Sequence, residues 1–115
     1  MEIGFKVVRR TYNGCREEFW SVIAGPRSGH GVNYGHFWAT PRPKCGPLAV
    51  FTNHPAAFNF APQESRNSVL TIHLCAYIPE TRIDYLQDLY STKTKLYDLP
   101  QGTILARAVY LLGAV

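Results

Sequence analysis

Acidic side chains are what this chain most conspicuously runs short of. Its 115 residues hold eight Asp and Glu against twelve Lys and Arg, and no acid at all lies between Glu18 and Glu64. Charged residues reach only 17%, below the usual quarter. With 46% hydrophobic residues, that balance excludes a disordered chain, a collagen-like repeat and a coiled coil. Cysteine is sparse too: Cys15, Cys45 and Cys75, with no CxxC pair. An odd count without close pairs argues against a disulfide framework and against a zinc ribbon. No apolar run approaches the roughly 18 residues of a membrane span. The first residues, MEIGFKVVRR, show no apolar stretch leading to a small-residue cleavage site, so they do not read as a signal peptide. These absences point to a soluble protein in a reducing cytoplasm.

What the chain does have is aromatic rings: seven Tyr, six Phe and two Trp. Its length suits one domain, residues 1–115, with enough surface to bury for a core of its own. The net charge of +4 is uneven. Residues 1–66 carry Lys6, Arg9, Arg10, Arg16, Arg27, Arg42, Lys44 and Arg66 against four acids, whereas residues 67–115 are balanced. The acid-free window also contains His30, His36 and His54. If it forms one surface, that surface suits an anionic partner.

Residues 3–9 place Ile3, Phe5 and Val7 on one side of an extended segment, which predicts a half-buried first strand. Tyr12-Asn13-Gly14 is turn chemistry, and residues 18–24 return as a second strand. Residues 25–47 are broken by five glycines and four prolines, with only a short extended piece at 34–39. Breakers at that density predict loops, and a long loop in a small domain is often functional. Leu48 to Phe51 reads as a strand. Asn53 or Thr52 can cap a short helix with Pro55 in its first turn and Ala56, Ala57, Phe60 and Ala61 facing inward. Residues 69–78 alternate strictly, Leu70, Ile72, Leu74, Ala76 and Ile78 on one face and Thr71, His73, Cys75 and Tyr77 on the other, which predicts a strand ended by Pro79. Ile83, Leu86 and Tyr90 have helical spacing, so residues 80–90 read as a short helix or a structured loop. Residues 103–112 read as a central strand, with a terminal helix as the alternative. The resulting fold class is α+β: a single mixed, mostly antiparallel sheet of four to six strands with one or two short helices.

Few residues form a chemical constellation. His73 and Cys75 share a strand face, but no third ligand is fixed beside them, so no metal site is expected, nor any cofactor. A Cys–His nucleophile also needs a thiol of lowered pKa and an orienting third group. The loop RSGHG, residues 27–31, could turn successive amides toward an anion, yet it matches neither a P-loop nor a dinucleotide fingerprint. Rings interleaved with cations read better. Trp20, Tyr34, Phe37 and Trp38 alternate with Arg27, Arg42 and Lys44, as in proteins that stack single-stranded bases over a positive groove.

Residues 47–78, an apolar strand, a turn, a helix with Ala-Ala-Phe and a long alternating strand, resemble a segment of small ADP-ribosyltransferase-like domains. That resemblance implies a cleft for NAD, a first-strand Arg at Arg9 or Arg10 and a late catalytic Glu at Glu80. The chain has no Ser-Thr-Ser stretch and no Glu-x-Glu pair. The tail LPQGTILARAVYLL, residues 99–112, resembles the ending of small phage and mobile-element proteins. The favoured expectation is therefore a small binding or accessory module. Its basic, aromatic, loop-rich face (Arg27, His30, Tyr34, Phe37, Trp38, Arg42 and Lys44, with His73) would meet an anionic ligand, a nucleic acid or an acidic protein. The aromatic supply also points to a homodimer. A transferase-like enzyme is the alternative.

Overall fold

The computed structural model describes residues 1–22, 31–42, 45–61, 69–87 and 93–115. Three long strands carry the fold: β1 (Glu2–Asn13), β5 (Val69–Pro79) and β8 (Thr103–Ala114). Between them come β2 (Arg16–Trp20), β3 (Asn33–Tyr34), β4 (Leu48–Phe51), β6 (Tyr85–Gln87) and β7 (Lys93–Lys95). Among the described residues one α-helix, α1 (His54–Phe60), follows β4, and a 3-10 turn spans Leu96–Asp98. All strand pairings are antiparallel.

The main sheet closes on itself. β1 pairs with β5 from Glu2 to Arg10, β5 with β8, β8 with β4, and β4 returns to β1 at Phe5. A second closure runs alongside. Beyond Phe5, the same edge of β1 carries β2, from Arg9 to Asn13. β2 holds β3, and the chain after β3 reaches β8: Ala39 and Val109 exchange backbone hydrogen bonds of 2.8 and 2.9 Å, and Leu111 N–H donates to the Gly35 carbonyl. The result is a small barrel. Closure requires bending, and β8 supplies it by register shifts that leave Arg107 and Leu112 as extra residues opposite β5. Such bulges coil a strand and switch which side of it faces in. That is why Ile104 and Ala106 share one core with Val109 and Leu111.

Strand occupies 56% of the described residues, so the α+β expectation is corrected: the protein is mostly β, with one short α-helix among the described residues. The sheet is antiparallel as expected. Residues 80–90 do not supply a second helix over the part described, because Tyr85–Gln87 pairs with Lys93–Lys95 as a separate hairpin. The turn and cap chemistry at the first hairpin and α1 behaves as read, but β2 spans Arg16–Trp20 and not 18–24, of which residues 23 and 24 lie outside the described residues. Gly14 sits at φ +66° in the two-residue loop between β1 and β2, a conformation that carries no Cβ penalty for glycine. The Asn53 side chain accepts from Ala56 N–H at 2.9 Å and Pro55 occupies the first turn.

The barrel's polarity is the surprise. In β1 the inward face is Gly4, Lys6 and Val8, all buried, while Ile3 on the expected core face is exposed. In β5 the inward face is His73, Cys75 and Tyr77. Phe5, Val7, Leu70 and Ile72 point outward and are covered by α1 together with Phe51, Ala57 and Phe60. One helix thus makes a second core on the outside of the barrel, so β1 is buried on both faces where it meets α1. Period-two alternation marks two faces but does not say which one a closed sheet turns inward.

Candidate functional site: an aromatic cleft beside the barrel seam

The cleft lies where the second closure is made. Ser21 N–H donates to the Val32 carbonyl at 3.0 Å, and the Ser21 hydroxyl accepts from Val32 N–H at 3.0 Å. Those bonds set β3 beside β2, pairing Trp20 with Asn33. Gly35 and Phe37 then bridge across His36 in a tight reversal. Gly35 permits this because a Cβ there would meet the Phe37 ring at 2.7 Å. Residues 31–42 so enclose an open-mouthed cleft of about 550 Å³. Its floor is Gly31, Val32 and Ala39, all buried. Its walls are the rings of Trp20, Phe37 and Trp38, and Asn33, Thr40, Pro41 and Arg42 complete the rim.

Each wall is braced. Trp38 packs against Tyr110 of β8 with ring centroids 5.6 Å apart, and His36 lies over the same ring at 6.2 Å. The Trp20 indole N–H points to a Glu18 carboxylate oxygen at 3.4 Å. Phe37 and Trp38 nevertheless remain 47% and 43% exposed. Among the described residues, none that lines the cleft is acidic. Three aromatic side chains, an amide, a hydroxyl and a guanidinium can together hold a flat ring and its negative substituent.

The structure brings Phe37, Trp38 and Arg42 together here, with Trp20. It does not bring Tyr34 or His73. Tyr34 is 2% exposed and lies inside the barrel, with the Lys6 ammonium 5.0 Å from its ring centroid. His73 is 5% exposed, hydrogen-bonded through Nε2 to the Thr71 hydroxyl at 3.0 Å and packed edge-on against Phe19. Burial holds its imidazole below the usual range. Both are corrections to the surface role expected of them. They face inward because β3 and β5 turn that side of their alternation into the barrel. Arg27, His30 and Lys44 lie outside the described residues.

The residues assigned by the transferase resemblance do not converge. The Arg9 guanidinium donates to the Val22 carbonyl, through Nε at 3.2 Å. Arg10 lies 4.0 Å from Glu17. Both lie beside the start of β5, at Leu70 and Val69. Glu80 follows its end, roughly 30 Å along the strand, where its carboxylate accepts from Arg82 N–H. His73 and Cys75 do share a face, but burial pushes the Cys75 thiol up to about 11, the opposite of what a nucleophile needs. Among the described residues no three His, Cys, Asp or Glu side chains gather as metal ligands.

Sequence reasoning missed Lys6. Its ammonium is inside the barrel, 8% exposed, donating to the Ala49 carbonyl at 2.6 Å. Burial lowers its pKa to about 8. The available signal was its parity with Gly4 and Val8 in β1. Among the described residues no helix is long and apolar enough to cross a membrane. Comparison with known proteins yields no matching family model, no matching curated relative and no matching solved structure.

Proposed function

We propose that this chain is a small binding module whose aromatic cleft takes up an anionic partner, and that it acts without catalysing a reaction. The observation that supports this is the convergence of Trp20, Phe37, Trp38 and Arg42 on one cleft that no acidic side chain lines among the described residues. Large rings left this exposed favour a covering partner, since burying them gains roughly 25 cal/mol per Å² of apolar surface. The positive balance of residues 1–66 attracts anions at longer range. The likeness of residues 99–112 to phage and mobile-element proteins suits an accessory role of this kind. A NAD-binding transferase has less support, because Arg9, Arg10 and Glu80 flank β5 at opposite ends.

A homodimer belongs to the same proposal with one restriction. Phe37 and Trp38 are exposed rings of the acid-free window, as is Phe58 on α1, and a dimer built on the first two would close the cleft. The test is binding of a panel of polyanions by the wild type and by Arg42→Glu, with light scattering alongside. Saturable binding that weakens in Arg42→Glu is the expected result. Retained affinity in that variant, or no binding at all, refutes the module.

A further inference from the structure

Resting on that reading, we propose that the cleft's partner is single-stranded nucleic acid, with a base stacked on the Trp38 and Phe37 rings and its phosphate near Arg42. The argument is one of shape and chemistry. A volume of about 550 Å³ is in the range of a site for a small ring compound. The open mouth lets a strand enter and leave where a closed pocket would take only a free nucleotide. Every base offers a π-face, so aromatic platforms bind single strands with little regard to sequence. Asn33 and Thr40 at the rim add an amide and a hydroxyl that can both donate and accept at a base edge. Arg42 provides a planar cation suited to phosphate.

Two other polyanions fit less well. A duplex keeps its base faces stacked internally, so the rings would be left uncovered. The one described α-helix has seven residues and lies on the α1 side of the barrel, not at the cleft. An acidic peptide could pair with Arg42 but brings carboxylates without the flat faces that three aromatic walls call for.

The molecule carries its own reporter. Both of its tryptophans, Trp20 and Trp38, line the cleft, so intrinsic fluorescence reads occupancy of this site. The experiment titrates wild type, Trp38→Ala, Phe37→Ala and the distant surface variant Phe58→Ala with four probes of equal length: oligothymidylate, an abasic oligodeoxynucleotide, a DNA duplex and poly-glutamate. Fluorescence anisotropy of the labelled probe is read beside tryptophan quenching.

Oligothymidylate should bind best, quench the tryptophans and lose about fivefold to a hundredfold in affinity in Trp38→Ala or Phe37→Ala, as expected for one stacked base. Phe58→Ala should match the wild type, and melting curves confirm that the variants are folded. If the abasic strand, duplex or poly-glutamate binds as tightly as oligothymidylate, the base-stacking inference fails while the anion-binding module stands. If none of the four binds, both fall.

Discussion

The buried Lys6 gives the sharpest test of the barrel's interior. Its amine titrates near 8 in the folded protein against an ordinary 10.5 because burial disfavours the ammonium. Between those values the unfolded chain holds a proton that the folded chain has given up. Stability therefore rises with pH across the window, by up to about 1.4 kcal/mol per pH unit and about 3 kcal/mol in full. The amine does not titrate alone, since Tyr34 and Cys75 belong to the same core. Burial raises the Cys75 thiol from 9.0 to about 11 and raises the Tyr34 phenol as well. Each of these removes stability once the unfolded group ionises, above about 9 and 10 respectively. The wild type should gain stability from pH 8 to 9, level off to about 10 and then fall. Urea unfolding at half-unit steps from pH 7 to about 11 reads this directly. In Lys6→Met the rise should vanish. The variant's gain at pH 7 will be smaller than the full amount, because the Ala49 carbonyl loses its donor, at roughly 1–3 kcal/mol for an unsatisfied buried group. The slope is therefore the deciding quantity. A wild type that is flat between pH 8 and 9, or a Met variant that keeps the slope, would refute the assignment of a buried, largely unscreened ammonium.

Two further outcomes follow from close backbone approaches. Gly4→Ala should destabilise the barrel by about 1–3 kcal/mol in denaturant titrations, because the added Cβ meets the Phe51 carbonyl at 2.8 Å and the Tyr77 ring at 3.0 Å; unchanged stability would mean that the β1–β4 contact can yield. Gly35→Ala should displace the Phe37 ring and weaken oligothymidylate binding more than it lowers the melting temperature. The reverse order would remove Phe37 from the binding surface.

Much of the backbone was legible in the chain, and the reasons are local. Strict alternation announced β5, Asn53 with Pro55 announced α1, and Gly14 announced the first hairpin. What stayed hidden depends on contacts between distant segments. Ile83, Leu86 and Tyr90 have helical spacing, yet Asp84 accepts from Leu96 N–H and Tyr85 pairs with Lys95, so partners ten and twelve residues on decide the conformation. Tyr34 and Phe37 read alike in a glycine-rich stretch. Only closure onto β8 turns one ring into the core and leaves the other in the cleft. Lys6 and His73 face each other in register, an inward pairing that neither strand's composition reveals.

The strand that contributes Lys6 also has to wait. β1 is made first, but apart from β2 its partners come late: Glu2 to Arg10 pair with residues 69–77. At ordinary translation speeds of 5–20 residues per second, that edge stays unpaired on the nascent chain for roughly 3 to 13 seconds. Its other edge is occupied only from Arg9 onward until β4 emerges. An open strand rich in Ile, Phe and Val invites pairing with a neighbouring copy. Lys6, Arg9 and Arg10 place three positive charges on it during this interval, which disfavours such encounters between identical chains. Replacing Lys6 by methionine should therefore raise aggregation in a cell-free translation even where the purified protein melts no lower.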